Sequence, residues 1–199
     1  MKRGLLIFAL VVAFIYSVGG IYFYFFGTEK IEPVKNISLI EEYGYNLKSN
    51  ATELMKTEFD VLKANLESDT IDEEAYALSI AKLFIIDLYT MNNKINKYDI
   101  GGIEYVYPSG VDNYKLKLTD TLYKYLEENS TGKREQELPE VVSINIENIE
   151  EIEYELEKIK YPGYKVTLKW DYLKDLEYDT TGKVIVIKKD NKYYITEKK

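Results

Sequence analysis

Asp87 is the residue whose sequence surroundings most strongly predict chemistry. It lies in the segment LFIIDLY, residues 83–89, which is apolar on nearly every side. Burial raises the pKa of a carboxyl group unless hydrogen-bond donors hold it charged. One interpretation makes Asp87 a general base or a ligand anchor in a cavity. The other, which we favour, makes it an acceptor for backbone amides of the turn 99–102 or for a tyrosine, so that it pins a loop to a helix.

That turn, Asp99-Ile-Gly-Gly, contains Gly101 and Gly102 and resembles a phosphate-binding loop only superficially. It lacks the Lys-Ser/Thr ending of such loops, and no strand precedes it. A structural turn in which glycine supplies a positive φ explains the motif better. We therefore expect Asp99, Gly101 and Gly102 to shape the backbone.

Aromatic residues form the third candidate group, with 20 tyrosines and the single Trp170. Together with Asp87, Tyr89 and Trp170 are the residues we would place around a ligand cavity. The alternative is that these rings fill the core and their polar ends reach the surface. Core packing is the favoured interpretation.

The chain has no His and no Cys. Ser/His/Asp triads, cysteine nucleophiles, thiolate zinc sites and imidazole ligands are therefore excluded. Six glutamates between residues 147 and 157 lack the spaced Asp/Asn/Gly pattern of a calcium loop, and a solvated strand face that protects a sheet edge explains them better. We predict a non-catalytic protein without cofactor or metal.

Residues 5–26 run for 22 positions without a charge, which as a helix reaches roughly 33 Å and crosses a ~30 Å hydrocarbon core. Lys2 and Arg3 precede the run, so the positive-inside rule predicts a cytoplasmic N-terminus. Tyr22 and Tyr24 belong at the outer membrane interface. A cleaved signal peptide is the alternative, but its apolar region is shorter and ends in small residues. We expect a retained anchor, residues 1–27, in the cell membrane.

Beyond residue 27 the chain keeps all 34 acidic but only 24 of the 26 basic side chains, so its net charge is −10. Such a domain repels nucleic acid and anionic headgroups. No nucleic-acid partner is therefore expected. The predicted partners are the lipid bilayer, which residues 5–26 enter, and other envelope proteins or copies of the same chain.

Residues 28–48 are predicted to form a linker and residues 49–199 an α+β domain outside the membrane. A first helix is expected to begin at Asn50, and its apolar stripe is Met55, Phe59, Leu62 and Leu66. A second follows the capping box Thr70-x-x-Glu73 and is apolar on two sides, as a buried central helix is. A third is expected over 112–128, capped by Asp112.

From Pro139 the apolar period changes from 3.6 to 2, which predicts an antiparallel meander ending in a hairpin at Asp190-Asn191. Residues 149–160 also fit a helical stripe. Strand is favoured there because the flanking segments are rich in β-formers. Helices followed by such a meander predict helices on one face of a curved sheet.

This order of elements resembles the cone-shaped nuclear transport factor 2-like fold over residues 50–197. The ending VTLKWDYLKDL, residues 166–176, followed by GKVIVIKKDNKYYI, residues 182–195, is similar to the last strands of that superfamily. A narrower likeness, in architecture, is to single-span assembly proteins of bacterial type IV secretion and conjugation systems.

The Lys/Ile/Asn/Glu/Tyr bias is typical of an AT-rich bacterial genome. The superfamily hosts enzymes, carriers and interaction modules, so the fold alone does not decide the function. We expect an anchored interaction module of a bacterial cell envelope. The alternative is a ligand-binding or sensing domain that uses the cone cavity around Asp87.

Overall fold

The computed structural model describes residues 16–17 and 34–199. Its described part is an α+β domain in which helices pack on a four-stranded antiparallel sheet, as the sequence predicts. Short 3₁₀ turns occupy Ile103–Tyr105 and Pro108–Gly110. The elements in chain order are β1 Asn36–Ile40, β2 Tyr45–Lys48, α1 Glu53–Leu66, α2 Glu73–Tyr89, α3 Val111–Asp120, β3 Val141–Leu156, β4 Ile159–Tyr172, β5 Thr181–Lys189 and β6 Lys192–Lys198.

The large sheet has the strand order β3-β4-β5-β6, so β3 and β6 are its edges. β3 and β4 form its longest hairpin, paired from Val141↔Tyr172 to Leu156↔Ile159. β5 pairs with β4 only between Gly163 and Lys169, so the far end of the hairpin extends beyond β5. Residues 149–156 are strand, which confirms the favoured interpretation of that ambiguous segment.

Helix α2 is the central element of the core. Twelve of its 17 residues are buried, and it contacts all four strands of the large sheet. A helix that is apolar around its whole circumference must be covered on all sides, as its sequence predicts. Asp72 caps it by accepting a 3.0 Å hydrogen bond from the Ala75 amide, so the cap is not the predicted Thr70.

Helix α1 buries the predicted stripe of Met55, Phe59, Leu62 and Leu66. The sequence places its cap at Asn50, but Thr52 accepts the hydrogen bond from the helix, at 3.4 Å from the Met55 nitrogen. The Asn50 side chain instead donates to the Asn93 carbonyl at 2.8 Å. Asn50 therefore holds a loop to the helix start.

Helix α3 is shorter than the sequence predicts. It begins after Gly110, without the predicted cap by Asp112, and ends at Asp120 rather than near residue 128. The backbone leaves the helical region at Thr121, with φ −123° and ψ −96°. This change of direction carries Tyr123 into the core, where its hydroxyl donates to the Leu88 carbonyl at 2.7 Å. A tertiary contact therefore overrides the helical pattern.

The predicted linker over 28–48 is wrong for the part that the structure describes. β1 and β2 form an antiparallel hairpin whose Ile40, Tyr45 and Leu47 are buried in the core. The Tyr45 hydroxyl lies 2.9 Å from the Tyr76 hydroxyl and donates to the Tyr193 carbonyl at 3.2 Å. The domain therefore begins at or before Asn36, and not at residue 49.

The predicted membrane helix over 5–26 lies outside the described residues except for positions 16–17. Its interface residues Lys2, Arg3, Tyr22 and Tyr24 lie outside them as well. Within the residues that the structure describes, none of the helices has the length and apolar character needed to cross a membrane.

Candidate functional site

Asp87 forms a buried ion pair. The Lys94 ammonium donates to its Oδ1 at 2.5 Å, and the Gly102 amide donates to its Oδ2 at 2.6 Å. Lys94 is only 2% exposed, although it lies in a loop past the end of α2. Both carboxylate oxygens therefore have donors inside the protein. The Gly102 amide belongs to the turn that the structural interpretation names, whereas Lys94 is a partner that the sequence does not predict.

Burial alone would raise the pKa of Asp87. The adjacent Lys94 charge, its hydrogen bond and the Gly102 amide act in the opposite direction and lower that pKa below its usual value. Asp87 is therefore a paired carboxylate. A general base for catalysis would instead carry a raised pKa and face a substrate.

The Gly101–Gly102 turn is held from three sides. Besides the Asp87 contact, the Tyr114 hydroxyl donates to the Gly101 carbonyl at 2.8 Å. The Gly101 amide donates to the Tyr123 hydroxyl at 3.2 Å. We call this arrangement of Asp87, Tyr114 and Tyr123 around the two glycines the turn clamp. It joins α2, α3 and the segment after α3 to one loop.

Each glycine of the turn clamp has a steric reason to be glycine. A Cβ on Gly101 would lie 1.9 Å from the Asp87 carbonyl oxygen, well inside van der Waals contact. Gly102 has φ +75°, and a Cβ there would lie 2.8 Å from the Phe84 ring. Asp99 accepts a 3.1 Å hydrogen bond from the Ile95 amide. These contacts are the ones that a structural turn requires.

Tyr89 and Trp170 lie together, with ring centroids 5.0 Å apart. The Tyr89 hydroxyl donates to Asp179 at 3.1 Å and accepts from Lys198 at 2.6 Å. Trp170 is fully buried, and its indole N–H donates to Tyr172 at 2.8 Å. Burial, followed by the Asp179 charge, raises the pKa of Tyr89. Both rings therefore serve packing and internal hydrogen bonds.

A separate groove of about 380 Å³ lies between α3 and the sheet. Asp87, Tyr89 and Trp170 do not line it. Five segments do: the C-terminal half of α2, residues 106–110, α3, the end of β3 and residues 195–198 of β6. Apolar side chains dominate its wall: Phe84, Leu88, Val106, Leu118, Leu156 and Ile195.

The tip of the β3–β4 hairpin lies next to one side of this groove. Ser109 donates to Glu157 at 3.0 Å, and the Tyr107 and Tyr161 rings are 6.3 Å apart. Sequence reasoning missed the groove because its walls come from parts of the chain up to 114 residues apart, from Phe84 to Lys198. No short sequence motif predicts a groove whose walls come from such distant segments.

Most of the acidic segment 147–157 lies within β3, which is an edge strand of the sheet. Its predicted protective role requires such a position. Lys165 pairs with Glu150 at 2.5 Å and Lys160 with Glu153 at 2.8 Å, both on the exposed surface. Across the described residues there is no group of three or more acidic side chains arranged to hold a metal ion.

Compared with known proteins, the chain matches no family model, no curated protein and no solved structure.

Proposed function

We propose that this chain is a non-catalytic interaction module, carried outside a bacterial cell membrane on a single N-terminal helix. The 22-residue uncharged run over 5–26 supports the anchor. The α+β domain that follows is compatible with the nuclear transport factor 2-like resemblance. Together they give the architecture of the single-span assembly proteins named above.

The observation that carries this proposal is that Asp87 and Tyr89, two of the residues predicted to line a ligand cavity, are engaged in internal contacts. Asp87 is paired with Lys94 and the Gly102 amide, and Tyr89 is bonded to Asp179 and Lys198. A ligand around Asp87 would have to displace these partners. The geometry therefore favours an interaction role over the alternative of a sensing cavity at Asp87.

Apolar surface at the start of the edge strand β3 suits a protein partner. Val142 is 42% exposed and Leu173 is 65% exposed. They lie at the same end of the sheet, because Val141 pairs with Tyr172 and the Leu173 amide bonds to the Glu140 carbonyl. An open edge strand beside exposed apolar side chains is a common docking feature.

Site-specific photo-crosslinking of the full-length chain in its own membrane tests this proposal. A crosslinker at position 142 should give discrete adducts with envelope proteins or with a second copy. The same crosslinker at Val61, which is 52% exposed on α1, serves as the control. Equal crosslinking patterns from both positions would contradict a specific interface at β3.

Protease digestion tests the orientation. In wall-stripped intact cells, added protease should digest the domain, because Lys2 and Arg3 are the only charges before the apolar run. Protection in intact cells, with digestion after lysis, would reverse the proposed topology.

A further inference from the structure

The groove between α3 and the sheet carries two solvent-exposed polar side chains that have no partner among the other described residues. Asn113 and Lys117 both line it, four residues apart on α3 and therefore on one face of that helix. Within residues 34–199, neither the Asn113 amide nor the Lys117 ammonium has a hydrogen-bond or ion-pair partner inside the protein. The thirteen other lining residues are mainly apolar or already bonded.

Lys198, the other cation of the groove, is already engaged. It donates to Tyr89 at 2.6 Å and to Asp179 at 3.2 Å. Glu197, which also lines the groove, pairs with Lys199 at 3.1 Å. The Lys117 ammonium is therefore the unneutralised charge of the groove. This local positive charge stands in a domain whose net charge beyond residue 27 is −10.

The size and chemistry of the groove match those of small-molecule sites. Such sites typically enclose about 300–1,000 Å³, with mostly apolar walls and a few convergent polar groups. Here the volume is about 380 Å³. Phe84, Leu88 and Ile195 supply apolar wall, while Lys117 and Asn113 supply a cation and an amide on one side.

We propose that this groove binds a small organic monoanion with an apolar body, such as an aryl-substituted carboxylate. The apolar part packs between Leu118, Val106 and Ile195. The carboxylate accepts hydrogen bonds from the Lys117 ammonium and the Asn113 amide. This binding site shares Tyr114 with the turn clamp but does not include Asp87. It is separate from the β3 surface of the proposed interaction function.

Three matched probes test the charge preference: 4-phenylbutyrate, 4-phenylbutanol and 4-phenylbutylamine. They share one apolar body and differ in the charge of the head. Saturation-transfer NMR titrations of the full-length chain in lipid-free amphipol measure each Kd. Lys117 attracts the anion and repels the cation, so phenylbutyrate should bind about tenfold more tightly than phenylbutylamine, with phenylbutanol between them.

Two variants locate the site. Lys117→Glu should remove or reverse the preference for the anion. Lys133→Glu, the same charge change at an exposed position outside the groove, should leave that preference unchanged.

Gly110→Leu should weaken the binding of all three probes, because its side chain would occupy the groove. Its backbone φ of −92° suits any residue, and a Cβ there meets Val106 at an ordinary 3.7 Å. Gly110→Ala is the matched control for folding.

The proposal is overturned if the amine binds as tightly as the carboxylate, or if Lys117→Glu and Lys133→Glu have the same effect. It is also overturned if Gly110→Leu binds every probe like the wild type while keeping the wild-type NMR spectrum. A crosslinking result at β3 bears only on the interaction function, so the two proposals succeed or fail independently.

Discussion

At the scale of single residues, Asp87 and Lys94 are the charged side chains that the described part of the domain buries. Desolvating two charges costs several kcal/mol, which their contact and the Gly102 hydrogen bond must offset. Such a pair is a weak source of net stability. Removing one partner alone is nevertheless costly, because it leaves an uncompensated buried charge.

Asp87→Leu should therefore destabilise the domain by about 3–5 kcal/mol. Asp87→Asn should cost less, because its amide oxygen still accepts from the Gly102 amide. The double variant Asp87→Leu/Lys94→Met should recover much of the loss, since no buried charge remains. Urea unfolding measures the free energy of unfolding of all three variants.

The control is Lys174→Gln, which removes one side of the exposed Lys174–Glu137 pair and should have little effect. A single Leu variant as stable as the wild type would show that the pair is not structural.

The pair also predicts a pH dependence. Lys94 and the Gly102 amide hold the folded-state pKa of Asp87 below its unfolded value of about 3.9, despite burial. A depressed pKa contributes stability that is complete above the unfolded pKa and is lost as pH falls through the folded pKa. The difference in unfolding free energy between wild type and Asp87→Asn should be constant from about pH 7 to pH 5 and shrink below about pH 4. A difference that grows toward acid pH would have the wrong sign.

The sequence predicts the acceptor role of Asp87 because a carboxylate in an apolar helix needs donors. It gives no comparable signal for Lys94. The segment NKINK around it is polar and follows the end of α2, so both of its lysines are expected to be exposed to solvent. Only the folded loop, which returns to α2, distinguishes Lys94 from Lys97.

At the scale of elements, the turn clamp explains why one loop can join two helices and the core. The Gly101 backbone passes so close to the end of α2 that no side chain fits. Its amide and carbonyl are both bonded to tyrosine hydroxyls. The clamp therefore depends on close approach of the backbone as much as on charge.

Gly101→Ala should lower the unfolding free energy by at least about 3 kcal/mol, because backbone must move to relieve a 1.9 Å contact. Gly110→Ala should be tolerated, since the nearest atom to its Cβ is 3.7 Å away. Thermal melts of both variants measure the contrast. Equal melting temperatures would mean that the loop can move away from α2 without any loss of stability, and would contradict this prediction.

Local patterns identify the long elements better than the short ones. α1, α2 and the meander carry several periods of apolar repeat, and their predicted types are right. The β1–β2 hairpin has strands of five and four residues, and Tyr45 is held by Tyr76 and Tyr193, which lie 31 and 148 residues away. Contacts of that sequence separation leave no periodic trace in the strands themselves.

At the scale of the whole molecule, the domain boundary follows from that hairpin. A fragment of residues 34–199 should be soluble and unfold cooperatively, whereas residues 49–199 should be strongly destabilised. The shorter fragment loses Tyr45, Leu47 and Ile40 from the core, and burial of one large apolar side chain is worth about 1.5–3 kcal/mol. Calorimetry of both fragments measures the difference. Equal stabilities would restore the linker interpretation.

The path of the chain into the domain has a mechanical consequence. β1 and β2 are antiparallel, and the pair Asn36↔Lys48 lies at the end of the hairpin away from its turn. Tension on the chain before Asn36 therefore acts first on the hydrogen bonds at that end. Pairs that are loaded in this way separate one after another, not all at once. Releasing β1 and the turn 41–44 frees nine residues, or about 30 Å of extended chain, before tension reaches Tyr45 and its bond to the last strand. A pull on the chain before Asn36 should therefore extend this segment before it loads the contact between Tyr45 and Tyr193.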